Sequence, residues 1–194
     1  MARIRTFIAV EMPDAIRIQA RRLIGKLGSS PTSVRWVDVN NIHLTLKFLG
    51  DVEDVEIAGV CQAIASAVRD LEPFQLDCRG VGAFPDLDRP RTVWIGTQGG
   101  EAEMGVLHEA IEKALTPLGF PKEPRRFHPH LTIGRVRRPG PDWKPLSQAL
   151  RAQADLNLGP LPVDEVVVFS SQLNPSGPEY AALSHAPLSG RGDR

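Results

Sequence analysis

The sequence predicts an α+β protein of two pseudo-symmetric lobes, each a mostly antiparallel sheet with helices packed outside it. Three observations carry this. Short stretches recur at a nearly constant spacing. Arg5-Thr6-Phe7-Ile8-Ala9 is echoed by Arg91-Thr92-Val93-Trp94-Ile95, 86 positions on; His43-Leu44-Thr45-Leu46 is echoed by His130-Leu131-Thr132-Ile133, 87 positions on; Asp77 and Val81 recur as Asp164 and Val168, again 87 on. A period that long indicates a duplicated unit and not a solenoid repeat. The order of β-rich and helical runs is the same in both halves. Finally, 194 residues that are 42% hydrophobic and 24% charged can bury a core without disulfides or a structural metal.

The elements follow in order. Residues 4–10 are β-rich, and Pro13-Asp14 leads into a helical pattern over Ala15 to Leu27 with Ile16, Ile18, Leu23, Ile24 and Leu27 as its apolar members. Gly28-Ser29-Ser30-Pro31 stops it. A short strand at Arg35-Trp36-Val37 and a longer one over Ile42–Leu49 come next, then a helix from Asp54 to Leu71 and a strand near Phe74–Val81. In the second half Thr92–Thr97 reads as a strand. Glu101–Leu118 reads as a helix with Met104, Leu107, Ile111 and Leu115 on one face, and His130–Val136 as a strand. Trp143–Ala152 is helical, Val163–Ser170 is a strand, and Tyr180–Leu188 is a last edge strand. One domain over residues 1–188 is expected, with 189–194 a disordered tail that has nothing to bury.

Composition narrows the function. No apolar run approaches the ~18 residues of a membrane span, and the start of the chain lacks a signal-peptide core, so the cytoplasm and no membrane association are expected. Cys61 and Cys78 are too few and too far apart for a disulfide framework or a zinc finger and read as reduced, buried thiols. Net charge is zero, so no global field draws in a polyanion. From Lys122 to Arg138, however, six basic residues face one acid, Glu123, and the same segment holds His128 and His130.

In a strand, residues i and i+2 share a face. That alternation points Leu44, Leu46 and Phe48 toward a core and His43, Thr45 and Lys47 away from it. In the second copy, Leu131 and Ile133 face the core while His130, Thr132 and Gly134 face away. One His-x-Thr is a weak signal. Two, brought together by a pseudo-two-fold, line one site with two imidazoles and two hydroxyls. Histidine titrates near pH 6.5, so one ring can act as base while the other acts as acid. Placed on either side of a phosphorus centre, such a pair can run an in-line displacement, with the threonine hydroxyls donating to the non-bridging oxygens.

These paired motifs resemble the 2H phosphoesterases, and within them the RNA 2′,3′-cyclic phosphodiesterases, also called 2′-5′ RNA ligases. The similarity extends through Arg5-Thr6-Phe7-Ile8-Ala9-Val10, Leu44-Thr45-Leu46-Lys47-Phe48-Leu49-Gly50, Gly82-Ala83-Phe84-Pro85, Pro90-Arg91-Thr92-Val93-Trp94 and Phe127-His128-Pro129-His130. The resemblance implies a bilobal fold with the active site in its central cleft, and hydrolysis of a terminal 2′,3′-cyclic phosphate to a 2′-phosphate; an RNA end and a small cyclic nucleotide both fit as substrate. It implies that His43 donates a proton to the leaving oxygen, that His130 accepts one from water, and that Thr45 and Thr132 hold the phosphate. It implies no cofactor and no metal, and the reverse reaction as ATP-independent ligation. The near-symmetry of the motifs does not by itself choose the acid from the base.

Arg135 lies where the family often carries a phosphate-binding arginine, but simple alternation turns it away from the cleft unless a bulge near Gly134 redirects it. Phe7 is either a base-stacking aromatic or a core residue, while Trp36 and Phe48 are assigned to the core. His128 and His130 form a His-x-His pair, which leaves a metal-dependent hydrolase as an alternative, although no third ligand sits nearby in sequence. A nucleotide- or RNA-binding module without turnover is the other. His108 and His185 read as ordinary residues, and a monomer with no obligate protein partner is expected.

Overall fold

The computed structural model describes residues 2–28, 34–137, 143–175 and 177–190. Ser29-Ser30-Pro31 of the first stop signal, Arg138 of the basic segment and residues 191–194 of the tail lie outside the described residues. The first half runs β1 (Arg3–Glu11), α1 (Asp14–Gly28), β2 (Val34–Trp36), a 3₁₀ turn (Val39–Asn41), β3 (His43–Glu53), α2 (Asp54–Val68) and β4 (Phe74–Phe84). The second runs β5 (Thr92–Gln98), α3 (Glu101–Leu115), a 3₁₀ turn (Thr116–Leu118), β6 (His130–Val136), α4 (Trp143–Arg151), β7 (Asn157–Val163), β8 (Glu165–Asn174) and β9 (Gly177–Pro187).

Among the described residues the strands form one sheet in the order β7-β4-β5-β6-β3-β1-β8-β9, with β2 added beside β6. The β3–β6 junction is the centre of a pseudo-symmetric arrangement. Moving outward, β1 mirrors β5, β8 mirrors β4 and β9 mirrors β7. Each half therefore sends its last long strand into the other: β4 pairs with β5 and β8 pairs with β1, all antiparallel. The lobes are interleaved rather than contiguous in sequence.

Helices cover one face of the sheet. Ile16, Ala20, Leu23 and Leu27 of α1, Val60, Ile64 and Val68 of α2, Met104, Leu107, Ile111 and Leu115 of α3, and Leu146 and Leu150 of α4 bury against Ile8, Val10, Leu44, Leu46, Val93, Ile95, Leu131 and Ile133. Ile18, counted with the apolar members of α1, is 52% exposed, because the buried stripe falls on the 3.6-residue spacing from Ile16 through Ala20 and Leu23. The opposite face carries a small cluster, Phe7, Ala9, Val167 and Phe169, with Tyr180 against it.

Three expectations give way to the structure. β7 escaped the sequence reading because Gly159, Pro160 and Pro162 disguise it. Among the described residues it pairs with β4 alone, and an edge is where a strand tolerates proline. The tail is held as far as Gly190: Ser189 N–H donates to the Arg69 carbonyl and Gly190 N–H to that of Leu71. The Arg5 echo is one residue out of register. Ala9 lies opposite Thr45 and Trp94 lies opposite Thr132, so the first strands correspond at 85 positions and not 86. A one-residue slip exchanges the faces of a strand, and Phe7 and Val93 indeed lie on opposite sides.

Candidate active site

β3 and β6 meet at one pair, Leu44 opposite Leu131. Continuing that register one residue each way sets His43 opposite Thr132 and Thr45 opposite His130. All four lie on the face away from the helices, because Leu44 and Leu131 are fully buried on the other.

Beyond these residues the alternation breaks, and it breaks twice in the same way. Ile8 and Ala9 pair with Lys47 and Thr45, which leaves Leu46 as an extra residue in β3. Val93 and Trp94 pair with Gly134 and Thr132, which leaves Ile133 as an extra residue in β6. Each bulge comes three residues after its histidine and turns the next positions over. Lys47 is thereby buried on the helix side, where its Nζ donates to both carboxylate oxygens of Glu112 and to the Pro121 carbonyl, each at 2.8 Å. Phe48 comes out on the site face, 60% exposed. The facings expected for Lys47 and Phe48 are reversed, and Phe48 is not a core residue; Trp36 does pack against the core. The bulge at Ile133 brings Arg135 to the same face as His130 and Thr132, the redirection that alternation alone forbade.

The two imidazoles are held alike. His43 Nδ1–H donates to the Asn41 carbonyl at 2.9 Å, and His130 Nδ1–H donates to the His128 carbonyl at 2.6 Å. A carbonyl can only accept, so the neutral ring carries its proton on Nδ1 and keeps Nε2 free as an acceptor. Asn41 also ties down the neighbouring chain, since its side-chain amide donates to the Pro178 carbonyl at the start of β9. The sheet therefore curls far enough for β9, three strands from β3, to reach the 3₁₀ turn before His43.

Aromatic rings surround each histidine. Phe7 stacks on His43 with centroids 4.7 Å apart, and Tyr180 meets it edge-on at 5.3 Å. Phe84 meets His130 edge-on at 5.0 Å, with Trp94 at 6.3 Å. Trp94 can lie over β4 because Gly82 has no side chain; a Cβ there would come within 2.3 Å of the indole. Phe7 is 2% exposed and offers no face to a nucleobase, so of its two readings the buried one holds. Its ring supports His43. Sequence reading missed Asn41, Tyr180 and Phe84 here: Asn41 acts through its backbone carbonyl, which its side chain does not mark, and only the curl of the sheet and the pairing of β4 with β5 bring Tyr180 and Phe84 to the histidines.

Burial lowers both imidazole pKa values. His43 falls to about 4, desolvation outweighing the Asn41 hydrogen bond. His130 falls for the same first reason, with the His128 hydrogen bond opposing and the charges of His128 and Arg135 adding. Burial thus favours the neutral form of each ring in the free protein. Tyr180 is pushed up by burial, against the pull of Arg135 and Arg5.

Other chemistries find less support in the geometry. His128 lies 6.2 Å from His130 between ring centroids, and among the described residues no cluster of three His, Cys, Asp or Glu side chains is placed to hold a metal ion. Cys78 is buried and its thiol is pushed up to about 12, while Cys61 is only half-buried; neither forms a disulfide. A thiol held protonated is not a nucleophile at neutral pH. His108 stacks on Phe127 at 4.0 Å on the helix side, and His185 pairs with Glu165 at the surface. No helix among the described residues is long and apolar enough to cross a membrane.

Comparison with known proteins places these features. The family model of the 2′-5′ RNA ligase superfamily matches residues 13–175. An RNA 2′,3′-cyclic phosphodiesterase of Methanothermobacter thermautotrophicus is 33% identical over 93% of this chain and 97% of its own length. One of Aeropyrum pernix is 35% identical over 84% of this chain and 90% of its own. Among solved structures, TT0787 of Thermus thermophilus superposes with a TM-score of 0.80 at 26% identity, covering 98% of this chain and all of that one. LigT of E. coli complexed with 3′-AMP superposes at 0.73 and 25% identity, covering 96% of this chain and 98% of that one.

Proposed function

This chain belongs to the 2′-5′ RNA ligase superfamily, and on that premise we propose that it hydrolyses the 2′,3′-cyclic phosphate at an RNA end to a 2′-phosphate, with His43 and His130 as its acid–base pair. The observation that carries the proposal is the shared treatment of the two rings. Each Nδ1 is tied to the carbonyl two residues upstream, and each ring stands on the open face beside the other motif's threonine.

The reaction breaks one bond and makes one. Water attacks phosphorus opposite the 3′ oxygen, and His130 Nε2 takes its proton. The P–O3′ bond breaks, and His43 delivers a proton to that oxygen, leaving a 3′-hydroxyl and a 2′-phosphate. Thr45 and Thr132 donate to the non-bridging oxygens, and the Arg135 guanidinium offsets the charge that builds on them. The assignment of acid and base comes from the family resemblance. It requires His43 to arrive charged, whereas desolvation holds it at about 4 in the free protein. A bound phosphate supplies the opposite charge that raises it. Run backwards, the same pair would join a cyclic phosphate to a 5′-hydroxyl without ATP.

Replacing His43 or His130 with alanine removes one proton-transfer group and should lower kcat by ~10²–10⁴-fold. The measurement is turnover of a short RNA ending in a cyclic phosphate. Near-normal activity in both variants would falsify the paired-histidine mechanism.

A further inference from the structure

Arg35 of β2 and Arg135 of β6 are direct cross-strand partners. Their neighbours fix the side on which they lie. A Cβ on Gly134 would stand 2.8 Å from the Trp36 ring and 2.9 Å from Val34 Cγ1. Val34, Trp36 and Gly134 therefore share the core side, and the two arginines project from the site face, both exposed. Arginine is charged at every relevant pH, and like charges directly opposite one another destabilise a sheet. Among the described residues no carboxylate pairs with either guanidinium.

The two side chains serve different places. Arg135 acts electrostatically on His130 and Tyr180. The Arg35 guanidinium reaches toward the start of β9, where a Cβ on Gly177 would lie 3.6 Å from Nη2. A cyclic phosphate carries one negative charge, which Arg135 and the two threonines already answer. A second cation beside it, turned outward along the same face, suits a second phosphate one nucleotide away.

We propose that Arg35 binds the phosphodiester linking the terminal nucleotide to the one before it, so that the protein prefers the end of an RNA chain to a cyclic mononucleotide. The inference rests on the phosphodiesterase reading above. The test compares kcat/KM on adenosine 2′,3′-cyclic phosphate with that on a dinucleotide ending in the same group. The unaltered protein should favour the dinucleotide by about tenfold or more, and Arg35→Gln should reduce that preference by about tenfold, through KM and with kcat retained, as expected for binding shared by ground and transition states. Arg35→Lys should restore part of it. A dinucleotide whose linkage is an uncharged methylphosphonate tests the same point without a mutation, and the unaltered protein should lose its preference for that substrate. A preference unchanged in Arg35→Gln, or retained by the methylphosphonate, overturns the role of Arg35 while leaving the hydrolase standing. Absence of turnover on both natural substrates overturns the hydrolase and the role of Arg35 together.

Discussion

His43 is the more strongly desolvated of the two imidazoles, lying between Phe7 beneath it and Tyr180 at its edge. Those rings restrain its orientation and also strip away the water that would stabilise its charged form. In the proposed mechanism, a proton donor built this way is off until an anion arrives. In an NMR titration of the free protein, the His43 Cε1–H signal should change with a midpoint near pH 4. With a 2′-phosphorylated nucleotide bound, the midpoint should rise by about one pH unit or more, because an opposite charge within ~4–6 Å favours the charged form. A midpoint that stays near 4 in the complex contradicts His43 as donor. The four residues were readable in the sequence as neighbours, since two His-x-Thr copies name them and the β3–β6 register sets them on one face. Their partners were not. Tyr180 is 137 residues from His43, and nothing in its local pattern distinguishes it from any edge-strand tyrosine.

Bulges decide the strands that carry the site. Period-two alternation is a rule about unbroken strands, and β3 and β6 are each broken three residues after the histidine. Up to Leu46 and Ile133 the sequence reading of the faces holds; beyond them it inverts, which is why alternation assigns Lys47 and Phe48 to the wrong sides. The inversion has an energetic consequence. Lys47 and Glu112 are 3% and 2% exposed, and they join β3 to α3 and to the Pro121 carbonyl in the loop that leads to His128 and His130. Glu112→Gln leaves a buried ammonium without its counter-charge and should cost about 3–5 kcal/mol in urea unfolding. Pairing Lys47→Met with Glu112→Leu removes both charges and should recover most of that loss. A cost below ~1 kcal/mol for Glu112→Gln contradicts the view that this pair holds the loop.

At the scale of the molecule, the pseudo-symmetric sheet brings both histidine motifs onto one face that neither half makes alone. β3 and β6 come from different halves, and they touch at a single pair before diverging, β6 going on to pair with β2. The exchange of β4 and β8 locks the halves together, so the two histidine motifs cannot separate without breaking the sheet. The correspondence of the two histidine strands was visible in the sequence because their motifs are alike. The exchange was not, because strand partners far apart in sequence leave no local trace. β7 was hidden for a different reason: its prolines are tolerated only because one of its edges is unpaired.

Two histidines on one sheet face, in the mechanism proposed, open a cyclic phosphate by proton transfer. The most direct test incubates the purified protein, in excess chelator, with a short RNA ending in a 2′,3′-cyclic phosphate and determines which oxygen keeps the phosphate. Complete conversion to a 2′-phosphate at an undiminished rate is expected. A 3′-phosphate product contradicts the direction of opening, and activity that disappears with the chelator contradicts the two-histidine mechanism.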